Sequence, residues 1–463
     1  MSDTTVYLLA DLGFGDQGKG TTVDALARKT SAHTIVRFNG GPQAGHGVTT
    51  PDGRHHIFAQ FGSAMFIPTV NTFLSRFMLI DPWRMLVEAK CLAKLGVVNV
   101  LGRTSISESA LVITPFHAAA NRLRELARGN ERHGSCGLGI GETMKDSLEQ
   151  SDEFVSRAAD FKPSFFRADL VTKLKCTQHF KREQLWQEGV ITQCWHIPQA
   201  KADIDLLLNN HVAFTLVDDL AKFFERVCIV PDDTLGEILS RPGTVIFEPS
   251  QGVLLDEWRG FHPYTTFSTC TLENADTLLK EQKFNGRIHR LGIIRAYGTR
   301  HGPGPFPTQD TGLTARLPDP PSARNEWQGQ FRVGWFDCVL TRYAMTCCGE
   351  LDSLVVTCLD RLRNEPDWNV CTEYLHEGKR ENNLLLGPVH DLDYQTRLGQ
   401  YLLKVTPVLS STSKRSLPTS RAPFFEDRVE AFCSFISQQL DCPISLLSLG
   451  PTAVDKRFFN GDK

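Results

Sequence analysis

The sequence predicts an α/β fold: a single large domain, residues 1–463, around a mostly parallel central sheet with helical and loop insertions. Three observations point there. Short β-rich runs recur along the chain, and each opens into a loop of glycine, proline or polar residues. The first two runs are separated by a segment with helical spacing, the βαβ pattern of a parallel sheet. No internal repeat, low-complexity tract or long linker divides the chain.

Val6-Tyr7-Leu8-Leu9-Ala10-Asp11 is an apolar run followed at once by glycines, and residues 21–29 place Val23, Leu26 and Ala27 at helical spacing. Thr34-Ile35-Val36-Arg37-Phe38 is a second run, ending in Asn39-Gly40-Gly41. Thr244-Val245-Ile246-Phe247 leads into Glu248-Pro249-Ser250-Gln251-Gly252, and Leu291-Gly292-Ile293-Ile294 leads towards Gly302-Pro303-Gly304-Pro305. Leu354-Val355-Val356-Thr357 leads into Cys358-Leu359-Asp360, and Ile444-Ser445-Leu446-Leu447-Ser448 into Leu449-Gly450-Pro451. Open parallel sheets bind ligands beyond the carboxyl ends of their strands, so these loops are expected to converge on one site. The loop after the second run is expected beside the loop after the first. Pro-rich residues 317–324 read as a loop, and Ser/Thr/Lys/Arg-rich residues 410–420 as a mobile one.

The chain has 463 residues, 41% hydrophobic and 22% charged, which is ordinary globular composition. Fifty basic residues face 53 acidic ones, with no long basic run, so nothing in the composition favours nucleic acid or a membrane surface as partner. The amino terminus carries no basic region and does not read as a signal peptide. No segment reaches the roughly 18 apolar residues of a spanning helix. The 13 cysteines, with no C-x-x-C pair, read as buried thiols in a reducing compartment, hence a cytoplasmic protein.

Two loops carry the chemistry. Gly13-Phe14-Gly15-Asp16-Gln17-Gly18-Lys19-Gly20 fits G-x-x-x-x-G-K, with glycine where a phosphate loop has a hydroxyl for Mg²⁺. Backbone N–H groups and the following helix N-terminus suit a phosphate. Asp16 is the natural replacement for the hydroxyl, as a hard oxygen ligand or as a base. Taken alone, the pattern is also that of a glycine-rich turn without a ligand. Gly40-Gly41-Pro42-Gln43-Ala44-Gly45-His46-Gly47 sets a histidine among glycines, with little core to pack into. Alone, His46 is as readily structural as catalytic; beside Asp16 it suits proton donation or charge stabilisation at a phosphate.

Together these loops resemble the adenylosuccinate synthetase family, whose loops read G-D-E-G-K-G and G-G-H-N-A-G-H. The match continues in order along the chain. Residues 247–256 are similar to F-E-G-A-Q-G-T-L-L-D, residues 263–266 to P-Y-V-T, and residues 291–308 to L-G-x-x-K-A-Y-x-T-R-x-G-x-G-P-F-P-T. Gly334-Trp335-Phe336-Asp337 fits G-W-[LF]-D, Leu359-Asp360 the end of K-L-D, and Ser448-Leu449-Gly450-Pro451 S-x-G-P.

The resemblance implies a ligase that uses GTP as co-substrate, with Mg²⁺, to phosphorylate O6 of inosine monophosphate before the amine of L-aspartate displaces the phosphate. It implies Asp16 as base and His46 as proton or hydrogen-bond donor. Gly15, Gln17, Gly18, Lys19, Gly20, Gly45 and Gly47 would bind GTP phosphates, and Asp360, Ser448 and Gly450 its guanine, in a part spanning roughly residues 350–463. Asp16 and Gly45 would hold the metal. Gln43, Cys136, Gln251 and Thr266 would hold the nucleotide acceptor, and Arg332 the amino acid. Small molecules would be the only substrates, and the protein would form a homodimer. Three departures stand out. Residues 327–333 keep only Arg332 from the arginines of the family's aspartate loop; Ser135-Cys136-Gly137-Leu138-Gly139-Ile140-Gly141 stands for T-T-G-R-G-I-G; and Cys358 replaces the lysine of K-L-D. They leave open the same chemistry on another purine-like nucleotide or amino donor. A GTP-binding nucleotide sensor without ligation is the reading from another class.

Overall fold

The computed structural model describes residues 3–151, 154–162, 166–317, 329–412 and 424–459. Ten strands form its central sheet, in the order Lys456–Phe458, Ile444–Ser448, Ser353–Thr357, Arg287–Arg295, Thr4–Asp11, Gly243–Glu248, Thr34–Arg37, Asn71–Leu74, Thr104–Ser107 and Cys228–Val230. All neighbours are parallel except the edge strand Lys456–Phe458. The six β-rich runs of the sequence all lie in this sheet.

Successive side chains of a strand point to opposite faces, and here both faces are covered. Val6, Leu8, Val36, Val245, Phe247, Leu354 and Val356 enter one buried cluster. Leu9, Ile35, Ile246, Ile293 and Val355 enter another with Val23, Leu26 and Ala27 of the helix Lys19–Thr30. Continuous apolar runs, rather than alternating ones, are the result.

The strand Thr34–Arg37 is not the neighbour of Thr4–Asp11, because Gly243–Glu248 lies between them. The two glycine loops nevertheless meet. The helix Lys19–Thr30 begins against the strand His46–Thr49, where a Cβ on Gly20 would lie 2.8 Å from the His46 carbonyl carbon. Adjacency therefore comes from the helix and not from strand pairing.

Between the strands Thr104–Ser107 and Cys228–Val230 the chain makes a helical insertion whose Phe116, Leu123, Leu174, Leu185, Leu220 and Phe223 share one apolar cluster with Leu74 and Ile106 of the sheet. Its helix Arg167–Gln187 is pinned by a buried charge: Lys181 Nζ lies 2.9 Å from Glu142 and 2.6 Å from Asp146, both on Ile140–Glu149. Among the described residues no helix is long and apolar enough to cross a membrane. All 13 cysteines are free; Cys91 and Cys228 are exposed, so they are not uniformly buried thiols. Residues 318–324 and 413–420 of the two expected loops lie outside the described residues.

Removing Lys181 leaves buried Glu142 with Arg124 and buried Asp146 with His117 as their remaining partners, so Lys181→Met is expected to cost about 3 kcal/mol in urea unfolding. Lys222→Met, which breaks an exposed pair with Asp219, is expected to cost under about 0.5 kcal/mol.

Candidate active site

The first loop leaves the carboxyl end of the strand Thr4–Asp11 and is shaped by left-handed residues at Gly15, Asp16 and Gly18, with φ of 85°, 59° and 80°. Its interior is occupied by the Asp11 carboxylate. Gly13 N donates to it at 3.0 Å, Gln17 N at 3.4 Å and Lys19 Nζ at 2.6 Å. Lys19 is thus buried and turned inward. The Gln17 side chain is also committed, donating to Gly15 O at 3.2 Å and accepting from Arg295 N at 2.5 Å.

Asp16 points outward. Its carboxylate is exposed, and Oδ2 lies 2.9 Å from His301 Nε2. What burial the group has pushes its pKa up, but the His301 hydrogen bond and charge, with Lys19 and Arg295, hold it below the usual carboxylate range. Asp16 is therefore ionised at neutral pH.

His46 opens the strand His46–Thr49 and is only 3% exposed, so it does have core around it. Nδ1 lies 2.5 Å from Glu248 Oε1, and Glu248 also accepts from Ser63 N at 2.9 Å and from the Ser63 hydroxyl. Burial, reinforced by Arg37 and Lys19, brings His46 down to about 4 despite Glu248. Burial alone would raise Glu248, but Arg37, His46 and Ser63 bring it down to about 2. The pair at pH 7 is a neutral imidazole donating Nδ1–H to a carboxylate, with Nε2 free to face a ligand.

Five buried polar atoms gather here with no hydrogen-bond partner among the described residues: His46 Nε2, both amide atoms of Gln43 and both of Gln251. The two amides flank the same backbone, for a Cβ on Gly40 would lie 2.8 Å from Gln251 Oε1, and one on Gly41 3.2 Å from Gln43 Oε1. Native proteins seldom leave such groups unsatisfied, and their clustering marks a polar ligand. Gly252 must be glycine, because a Cβ there would collide with Gly13 O and Gly15 N. Thr266, half-buried, follows on, its N–H donating to Leu255 O at 2.8 Å.

The remaining sequence-predicted residues form two further groups. Thr357 Oγ1 donates to Gln17 O at 2.7 Å, and the next turn, Leu359–Leu362, presents Asp360. Across from it Ser448 Oγ donates to Gly450 O at 3.2 Å, and Thr21 Oγ1 donates to Pro451 O at 2.9 Å. Burial brings Lys456, which donates to Gly450 O at 2.7 Å, down to about 8. Gly45 and Gly47 are exposed. Arg332 lies opposite Arg300 on paired strands and donates to Gly302 O at 2.6 Å, Gly304 O at 3.1 Å and Gln309 Oε1 at 3.0 Å. Cys136 packs with Leu138 against Leu79, Leu111 and Ile113, one layer behind Gly40, and burial pushes its thiol up to about 11.

Sequence reasoning missed Asp11, Arg37, Glu248, Arg300 and His301. Arg37 carried a signal as a charge inside an apolar strand, and Glu248 and Arg300 matched letters of the quoted motifs. Magnesium prefers a few hard oxygens and keeps several waters. The exposed Asp16 carboxylate fits that demand, whereas Asp11 and Glu248 are already committed to Lys19 and His46.

A family model described as adenylosuccinate synthetase matches residues 9–456. The adenylosuccinate synthetase of Desulfovibrio desulfuricans is 29% identical over 454 residues, covering 94% of this chain and 96% of its own. That of Chlorobium chlorochromatii is 28% identical over 449 residues, covering 95% and 94%. Among solved structures, fully ligated adenylosuccinate synthetase from Plasmodium falciparum superposes with a TM-score of 0.72 at 17% identity, covering 98% of this chain and 100% of that one. Cyanophage S-2L succinoaminodeoxyadenylate synthetase gives 0.53 at 14%, covering 98% and 95%. At those identities the structural matches speak for the fold.

Glu248→Gln leaves Arg37 buried with only the lesser counter-charge of Glu88 and is expected to cost about 3 kcal/mol in urea unfolding at pH 7. Because the folded-state pKa of Glu248 is depressed from 4.5 to about 2, its contribution is present above pH 4.5 and is lost as pH falls towards 2. The Glu248→Gln variant should lack that acid limb; an unchanged pH profile would contradict the assignment.

Proposed function

Because this chain belongs to the adenylosuccinate synthetase family, we propose that it is a GTP-dependent ligase that makes adenylosuccinate, GDP and phosphate from inosine monophosphate, L-aspartate and GTP. The observation that supports this most is the exposed, ionised Asp16 on a loop that abuts both the loop carrying His46 Nε2 and the unsatisfied amide of Gln43 and the loop carrying the unsatisfied amide of Gln251.

Asp16 takes the N1 proton of the purine as O6 attacks the γ-phosphorus, so that the O6–phosphorus bond forms while the bond to the GDP oxygen breaks. A carboxylate held ionised, yet reachable from solvent, suits that base. Glu248 keeps Nδ1 of His46 as a donor, which fixes the ring with Nε2 towards the reactants. A proton taken on Nε2 as the triphosphate's charge arrives makes that nitrogen the donor to the leaving oxygen. The aspartate amine then attacks C6, the C6–O bond breaks, phosphate departs and the amine loses its proton. Most of the acceleration in such transfers comes from positioning and charge neutralisation. Mg²⁺ held by Asp16 and the backbone of Gly45 would supply part of that neutralisation.

Gln43, Gln251, Thr266 and Cys136 are assigned to the nucleotide acceptor. The backbone of Gly15, Gln17, Gly18, Gly20 and Gly47, with Lys19, is assigned to the GTP phosphates. Asp360 accepts two N–H bonds from guanine, under the loop from Ser448 to Gly450, within residues 350–463. Arg332, with Arg300 beside it, is assigned to the carboxylates of the amino acid. A homodimer in the cytoplasm is part of the proposal; the free cysteines agree with a reducing compartment. A second reading changes only the substrates. It is favoured by the Arg332 guanidinium, already bonded to Gly302, Gly304 and Gln309, and by the apolar packing of Cys136.

Asp16→Asn should lower acceptor-dependent GDP release by at least about 10²-fold while GTP still binds. Undiminished ligation in that variant would sink the mechanism. Incubating the protein with GTP, Mg²⁺, several purine nucleotides and a panel of amino acids, with products identified by mass, separates the two readings. Adenylosuccinate supports the first and a product of another mass the second; GTP binding without GDP formation contradicts both.

A further inference from the structure

The first loop folds around an anion of its own. Asp11 ends the strand Thr4–Asp11 with its side chain fully buried, and its carboxylate collects two backbone amides and an ammonium: Gly13 N at 3.0 Å, Gln17 N at 3.4 Å and Lys19 Nζ at 2.6 Å. Amides of a glycine loop and the lysine that follows it are the donors such a loop offers to a phosphate. In this protein those three already serve a carboxylate.

Asp11 has no room to move aside. The segment Gln251-Gly252 closes over it so tightly that a Cβ on Gly252 would stand 2.6 Å from Asp11 Oδ1. Lys19 is the movable partner, a point charge on a flexible four-carbon stem at the first turn of the helix Lys19–Thr30. At 4% exposure it is not presented to solvent. A ligand that recruits its charge must first take it from Asp11, leaving a buried carboxylate held by two amides beside an incoming polyanion.

We propose that Asp11 is a positioning residue that parks Lys19 inside the loop, so that GTP binds by drawing Lys19 off an internal carboxylate. Nucleotide affinity is then a difference between two ion pairs, Lys19 with phosphate and Lys19 with Asp11, and the second opposes binding. This deepens the GTP-ligase reading and rests on it. A carboxylate that merely built the loop would act in the other direction: without it the loop would loosen and GTP would bind less well.

Asp11→Asn keeps the shape and an oxygen for the amides but removes the charge that holds Lys19. Measured by displacement of a fluorescent GDP analogue, GTP should bind about tenfold more tightly to this variant than to the wild type. The KM for GTP should fall more than kcat changes, and Lys19→Met should weaken binding more in the Asp11→Asn background than in the wild type. Unchanged or weaker GTP binding by a folded Asp11→Asn protein, with the wild type binding normally, overturns the proposal and leaves the ligase reading standing. No GTP binding by either folded protein overturns both. Should the variant fail to fold, the wild type decides: the ¹⁵Nζ resonance missing from the Lys19→Arg spectrum should shift when GTP is added, and a signal that stays in place overturns the proposal.

Discussion

The reacting end of this site depends on one buried guanidinium. Arg37 ends the strand Thr34–Arg37, fully buried, and its register partner on the adjacent strand is Glu248. Its nitrogens donate to Phe61 O at 3.1 Å, to Ala59 O at 3.3 Å and to Ser250 Oγ at 2.6 Å, while Glu248 supplies the nearby negative charge. A buried charge of this kind is weak as a source of stability, since desolvation offsets most of the attraction. Its value here is geometric. Arg37 keeps Glu248 ionised, Glu248 fixes His46, and the bond to Ser250 sets the loop that holds Gln251 in a left-handed conformation at φ 54°. Three loops from distant parts of the chain are thereby locked to the last rung of two neighbouring strands.

Close approach does the rest. The loops meet backbone to backbone at Gly20 against His46 and at Gly252 against Gly13 and Gly15, and Gly40 packs against the Ser250 side chain. Side chains at those positions would hold the loops apart and separate Asp16 from His46. The glycines are therefore contact surfaces as much as flexible joints. The two faces of the sheet are filled by separate apolar clusters, which leaves the carboxyl ends of its strands as the natural place for polar loops to gather.

Much of this was legible in the sequence, for identifiable reasons. Parallel strands buried on both faces read as continuous apolar runs, and six of the nine parallel strands were found that way; the short Asn71–Leu74, Thr104–Ser107 and Cys228–Val230 were not. The glycine loops stood out because turn chemistry is local. What stayed hidden was non-local. Nothing in residues 34–38 says that a strand more than 200 residues later inserts between them and the first strand, although the two loops do meet as expected. Arg37, Glu248, Asp11 and His301 each stood in or beside a quoted motif, but their roles exist only through partners brought in by folding. Lys19 is the sharpest case. Its position in the motif pointed to a phosphate, while the structure turns its ammonium to Asp11.

The site is also electrostatically divided. At the Asp16 end, charges are matched: His301 faces Asp16, Lys19 faces Asp11, and Arg37 faces Glu248. At the amino-acid end they are not. Arg300 is almost wholly buried and lies opposite Arg332, and neither makes an ion pair among the described residues; both instead donate to backbone carbonyls or an amide. Burial, with Arg332 nearby, brings Arg300 down to about 9. Two guanidiniums held close together without a counter-ion favour a carboxylate arriving between them. Arg332 Nε is buried and has no hydrogen-bond partner among the described residues. The discrimination among amino donors proposed above would then turn on whether a carboxylate can reach this pair, between the loops around Gly302 and Gly329.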